Sequence, residues 1–176
     1  MENVFENWKT LIPAEFADNS KVWIYQAHRP FGTVEAIKLE AMLEEFIANW
    51  KTHGSPVKGY GNLFFGQFLV LMADDTVAHV GGCSTDDSLH FIQELENTFN
   101  VRLLDRLNLA FLIRDKVELL PTHQITNGIE KGFLNPDTLY FNNTVVTKKT
   151  WLENWIIPLK DSWLANRFPR LSNNFA

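Results

Sequence analysis

The only thiol of the chain is Cys83, and it stands in the run Gly81-Gly82-Cys83-Ser84-Thr85-Asp86. Two glycines let the backbone approach a ligand closely, and the residues that follow have the composition of a helix start. The free N–H groups and the dipole of such a start favour an anion, and they lower the pKa of a thiol placed there. Gly82, Cys83, Ser84 and Thr85 are therefore the ligand-binding candidates, with Cys83 as nucleophile or anion contact and Ser84 as hydroxyl donor. The same run also reads as a flexible loop, a small buried cysteine and an ordinary Ser/Thr cap, with Asp86 and Asp87 already complementing the dipole. A phosphatase-type loop would need an arginine six residues after the cysteine, where Leu89 stands, and no second cysteine completes a Cys-x-x-Cys pair.

The flanking elements decide what can reach this segment. Residues 22–27 are β-branched and aromatic and predict a strand. Thr33 can cap a helix to about Lys51, with Leu39, Leu43, Phe46, Ile47 and Trp50 on one face, Gly54 as its C-cap and Pro56 as its stop. Residues 57–73 predict two strands joined near Gly66-Gln67, and Gly59 and Gly61 mark a bulge or close packing. Ser84 or Thr85 caps a second helix to about Phe99, with Leu89, Ile92, Leu95 and Phe99 facing inward. A strand over 108–113 turns at Arg114-Asp115-Lys116 and returns over 117–120. The order βαββαβ is that of a ferredoxin-like split β-α-β sandwich, so the expected fold is α+β. The core is expected over 1–120, with a short N-terminal helix at 3–12.

A C-terminal α+β extension over 121–176 should pack on that core. It starts with a short helix over 122–131 closed by Gly132. Strands over 138–141 and 144–146 should flank Asn142-Asn143. Thr150 and Glu153 have capping-box spacing for a last helix containing Trp151 and Trp155.

In a split sandwich the first and third strands run antiparallel, so the second helix starts at the sheet end where the first helix finishes. That brings His53 and Lys58 towards Cys83. His53 would act as base or charge partner to a thiolate, and Lys58 as an electrostatic clamp. Cys83 and His53 are thus the catalytic candidates, while His28 and Arg29 belong at the opposite end.

Other chemistries lack their signatures. His79, Cys83 and His90 match no strong metal spacing, so neither a metal nor a cofactor is expected. There is no Gly-x-x-x-x-Gly-Lys-[Ser/Thr] and no Gly-x-Gly-x-x-Gly after a strand. A net charge of −5 argues against nucleic acid and anionic lipid. No apolar run approaches the ~18 residues of a membrane span, and residues 1–20 do not read as a signal peptide. A single cysteine suits a reducing compartment, so a cytoplasmic location is expected.

Several segments together resemble a family of short Bacteroidetes proteins, some of which are labelled ABC transporter ATPases. They are Trp23-Ile24-Tyr25-Gln26, Arg29-Pro30-Phe31, residues 53–58, and Gly82-Cys83-Ser84-Thr85-Asp86 leading into residues 91–96. Phe141-Asn142-Asn143 and residues 158–163 complete the set. The resemblance brings no functional residues to carry over, and the chain lacks the phosphate-binding loop that the label requires, so ATPase activity is not expected.

Two functions remain. One is a non-catalytic binding or assembly module that meets a second copy or a protein partner through its sheet face or edge. The other is a small-molecule or anion-binding protein, thiol-dependent or not, with its site at Cys83.

Overall fold

The computed structural model describes residues 5, 7–76 and 81–172, and for Cys83 and Ser84 the backbone only. The protein is α+β, with antiparallel sheets. In chain order the elements are β1 (Lys21–Gln26), α1 (Thr33–Asn49), β2 (Lys51–Thr52), β3 (Ser55–Pro56), β4 (Lys58–Phe64), β5 (Phe68–Asp74) and α2 (Gly82–Phe99). They continue with β6 (Asn108–Ile113), β7 (Lys116–Pro121), α3 (Ile125–Glu130), β8 (Leu139–Phe141), α4 (Lys148–Asn154), β9 (Ile156–Pro158) and α5 (Trp163–Arg167). The chain forms two compact units, residues 1–104 with 145–152 and residues 105–144 with 153–176. The division therefore does not fall at 120, and the β6–β7 hairpin goes with the second unit.

In the first unit β1, β5 and β4 form a sheet in that order. β5 (Phe-Leu-Val-Leu-Met-Ala-Asp) is buried along its whole length, because both faces of the sheet are covered. Such a strand reads as a continuous apolar run without alternation. Leu69, Leu71 and Tyr25 point to α1 and α2, where they meet Leu39, Leu43, Trp50, Ile92 and Leu95. The other face is covered by aromatic side chains. Trp8, from a 3-10 turn over Trp8–Leu11, meets Phe64 at 6.2 Å and Trp151 of α4 at 5.7 Å, and Trp151 meets Phe64 at 5.2 Å. Phe16 packs edge-on to Tyr60. The sheet face away from the helices, which with the sheet edge was one of two surfaces expected to meet a partner, is thus covered by the chain's own aromatic residues.

The expected sandwich stops at its third strand. A fourth strand would sit beside β1, but the outer edge of β1 bonds to the stretch before α4 instead. The Val22 N–H donates to the Val146 carbonyl at 3.0 Å, and Lys21 bridges Thr147. β6 is engaged on both sides elsewhere, in a sheet of order β7-β6-β8-β9. A strand has two edges, and both edges of β6 are taken.

Local chemistry corrects other expectations. His53 and Gly54 have φ of 48° and 82° and link β2 to β3 in a two-residue hairpin, so Gly54 serves a turn and not a helix cap. α1 has already ended at Asn49. Its N-cap is Gly32, whose N–H is accepted by the Glu35 carboxylate at 2.8 Å, and Thr33 is its first residue. The N-terminal helix expected over 3–12 reduces to the 3-10 turn, with residues 1–4 and 6 outside the described residues. On α2 the inward positions are Ser88, Phe91, Ile92, Leu95 and Phe99, while Leu89 is exposed. α4 starts earlier than expected because the capping box is Thr147 with Thr150. Each hydroxyl accepts the other residue's N–H, at 3.1 and 3.2 Å. Residues 144–146 form no strand, and Trp155 lies just past the helix.

The second unit buries Phe111, Ile125, Leu134, Tyr140, Leu159, Leu164 and Leu171. Its β6–β7 hairpin turns at Arg114-Asp115, both at positive φ, as the sequence reading placed it. Gly132, at φ 74°, closes α3. The Trp155 indole N–H donates to the Asn143 side chain at 3.0 Å. Among the described residues no helix is long and apolar enough to cross a membrane.

Candidate functional site

β4 carries glycine at two positions where a side chain would run into α1 and the Trp50 that follows it. A Cβ at Gly59 would come within 2.8 Å of the Trp50 ring, and one at Gly61 within 3.0 Å of Ile47 and Leu43. α1 also packs against α2. The Phe46 and Phe91 rings stack at 4.3 Å with 6° between their planes, and Trp50 leans on Phe46 at 5.1 Å.

Above this stack the two helices leave a trough of about 430 Å³. Met42, Glu45, Phe46, Asn49 and Trp50 line it from α1, and Asp87, Phe91 and Glu94 from α2. These positions follow helical spacing, so each helix presents one continuous stripe to the trough. The floor is apolar and the rim is acidic. Among the described residues, Glu45, Asp87 and Glu94 have no ion-pair partner, and no lysine or arginine lines the trough. Such a trough can hold an apolar body and attract a positive charge.

The residues singled out in the sequence fall into three groups. Gly82, Cys83, Ser84 and Thr85 form the first turn of α2, with Gly81 as N-cap, so the helix starts earlier than a Ser84 or Thr85 cap would allow. The side chains of Cys83 and Ser84 are outside the described residues, as is His79. The Thr85 hydroxyl donates back to the Gly81 carbonyl at 3.2 Å.

His53 is brought to this helix start as the topology predicted, with its Nε2 3.4 Å from where a Gly81 Cβ would lie. Lys58 is not available as a clamp. Its ammonium donates to the Glu15 carbonyl at 2.8 Å and to Asp74 at 3.1 Å, and it lies 4.7 Å from the centre of the Phe16 ring. The reason is register. Lys58 pairs across the sheet with Asp74, so both side chains share the face opposite the helices.

His28 and Arg29 do lie at the far end of α2. The Arg29 guanidinium grips Glu35 through two hydrogen bonds of 2.8 and 2.9 Å, and it donates to the Phe99 carbonyl at 2.8 Å. A cation there complements the negative end of the helix dipole. The Arg29 hydrogen bonds, joined by the Gly32 N–H, lower the Glu35 pKa to about 2. His28 Nδ1 accepts the Arg102 N–H at 2.9 Å.

The sequence reading missed Glu45, Asp87, Phe91 and Glu94 as site residues. Their signal was present in the i, i+4, i+7 spacing of Asp87, Phe91 and Glu94, which puts two carboxylates and a ring on one stripe. Its meaning depends on the facing stripe of α1, which spacing within one helix does not reveal. Neither family models, nor curated proteins, nor solved structures give a match to this chain.

Proposed function

We propose that the protein is a non-catalytic binding module whose ligand lies in the trough between α1 and α2. The observation that carries this reading is an apolar trough rimmed by carboxylates without partners. A trough of about 430 Å³ is the size of a small-molecule site. The trough lining holds no cysteine, serine, histidine or lysine, so its carboxylates are read as charge partners for a ligand. The test is a fragment screen followed by amide and indole N–H NMR on the whole chain. Hits should move the Trp50 indole signal and the amides of residues 87–94. Shifts confined to other regions would remove the trough as the site.

A second reading, a thiol-dependent site at the start of α2, is favoured by the approach of His53 to Gly81. Since Cys83 is the sole thiol, iodoacetamide uptake by the folded chain tests it directly. Fast alkylation well below the free-thiol pKa of about 8.5 is the expected sign of an activated thiolate. Protection until the chain unfolds would end that reading.

A further inference from the structure

We infer that the ligand of the trough is a linear aliphatic polyamine, with ammonium groups separated by short methylene chains. This rests on the trough being the binding site proposed above. The electrostatic setting comes first. α1 and α2 together carry eight carboxylates and one lysine, a net −7, whereas the whole chain carries −5. The negative field is therefore concentrated on the helical layer, where a cation gains most.

The geometry then selects the shape of the cation. Asp87 and Glu94 are seven residues apart on α2, which is about 10.5 Å along its axis. The Phe46–Phe91 stack fixes the middle level of the trough, and Glu45 is the neighbour of Phe46 on the facing wall. His53, just beyond α1, lies by Gly81, just before α2, so the helices run antiparallel with the stack between. The carboxylates thus stand at one end, the middle and the other end of the trough, on alternating walls. An extended triamine with three- and four-methylene spacers presents cations in that order, with its methylenes over Met42 and Phe46.

Two other kinds of cation fit less well. A divalent metal needs oxygen ligands that converge on one point. These three carboxylates are spread along a line, and among the described residues no group of three could hold a metal. A basic protein surface would need an open interface of about 800 Å² per partner, not a narrow trough. Here Phe91 is 6% exposed and Trp50 2%, which leaves a narrow strip.

Isothermal titration calorimetry of the full chain with spermidine, at fixed ionic strength, tests the inference. One molecule should bind per chain. Asp87→Asn and Glu94→Gln should each weaken binding about tenfold, as loss of one charge-assisted contact implies. Putrescine, too short to reach both ends, should also bind about tenfold more weakly. Both substitutions are at exposed positions, so the fold is expected to survive, and circular dichroism checks it. Equal affinity for spermidine and putrescine, equal affinity for Mg²⁺, or preference for an oligolysine peptide would each overturn the inference. If fragments map to the trough while spermidine does not, the ligand class fails and the site stands. If neither does, both fail.

Discussion

The two faces of the three-stranded sheet treat charge in opposite ways. On the helical face three carboxylates ring an apolar trough without partners. On the other face two lysines, Lys58 and Lys148, are saturated. Lys148, only 5% exposed, donates to the carbonyls of Ala14 at 3.2 Å and Phe16 at 2.7 Å. Lys58 takes the carbonyl between them, that of Glu15, and pairs with Asp74. Two lysines thus hold three consecutive carbonyls and fix the loop that carries Phe16 over the sheet. Buried charge persists only when it is hydrogen-bonded or paired, so these cations are structural. Exposed charge faces no such demand, and partnerless carboxylates beside an apolar floor are free to meet a ligand.

If that contrast is right, the largest effect belongs to Lys148. Lys148→Met keeps the apolar stem and leaves two carbonyls without their donor, so a loss of about 3 kcal/mol is expected in urea unfolding. A neutral result would mean that the loop does not depend on its cations.

Next in size is Asp74→Asn, expected to cost about 2 kcal/mol at neutral pH. Burial alone would raise the Asp74 pKa. The Thr76 hydroxyl and N–H, the Lys58 ammonium and the Ala17 N–H outweigh burial and hold it well below the usual carboxylate range. The folded state therefore binds this proton less readily than the unfolded chain. Its stabilisation is present above the ordinary carboxylate pKa of about 4 and is lost as pH falls below it. The native protein should weaken on acidification, and Asp74→Asn should flatten that slope, with Glu35 supplying a share that remains.

The smallest effect is expected in the trough. Neutralising Glu45, Asp87 and Glu94 together should change stability by no more than about 0.5 kcal/mol, because surface positions without partners contribute little. A large loss in the same urea assay would mean that these carboxylates are structural after all.

What the sequence made legible follows the range of the interaction involved. The β4–β5 hairpin, the turn at Arg114-Asp115 and the close packing at Gly59 and Gly61 rest on neighbours in the chain or on one residue's missing Cβ. His53 by the start of α2 followed from topology alone. The place of β6 did not, because its strand signal says nothing about which edge it will meet. The Thr147–Thr150 box was misread because the sequence offers Glu153 at an equivalent spacing from Thr150. Lys58 looked like a free cation because its partner Asp74 is close only across the sheet. The trough needed the register between two helices, which no single periodicity carries.

The discontinuity of the first unit has a consequence for synthesis. Its sheet strands and both long helices leave the ribosome within the first hundred or so residues, yet α4, which carries Trp151 and Lys148, arrives only after the intervening stretch of the second unit. Until then Phe64 lacks one of its aromatic neighbours, and the outer edge of β1 lacks Val146. A nascent chain paused before residue 145 would expose an apolar face and an unpaired strand edge together, the combination on which aggregation nucleates.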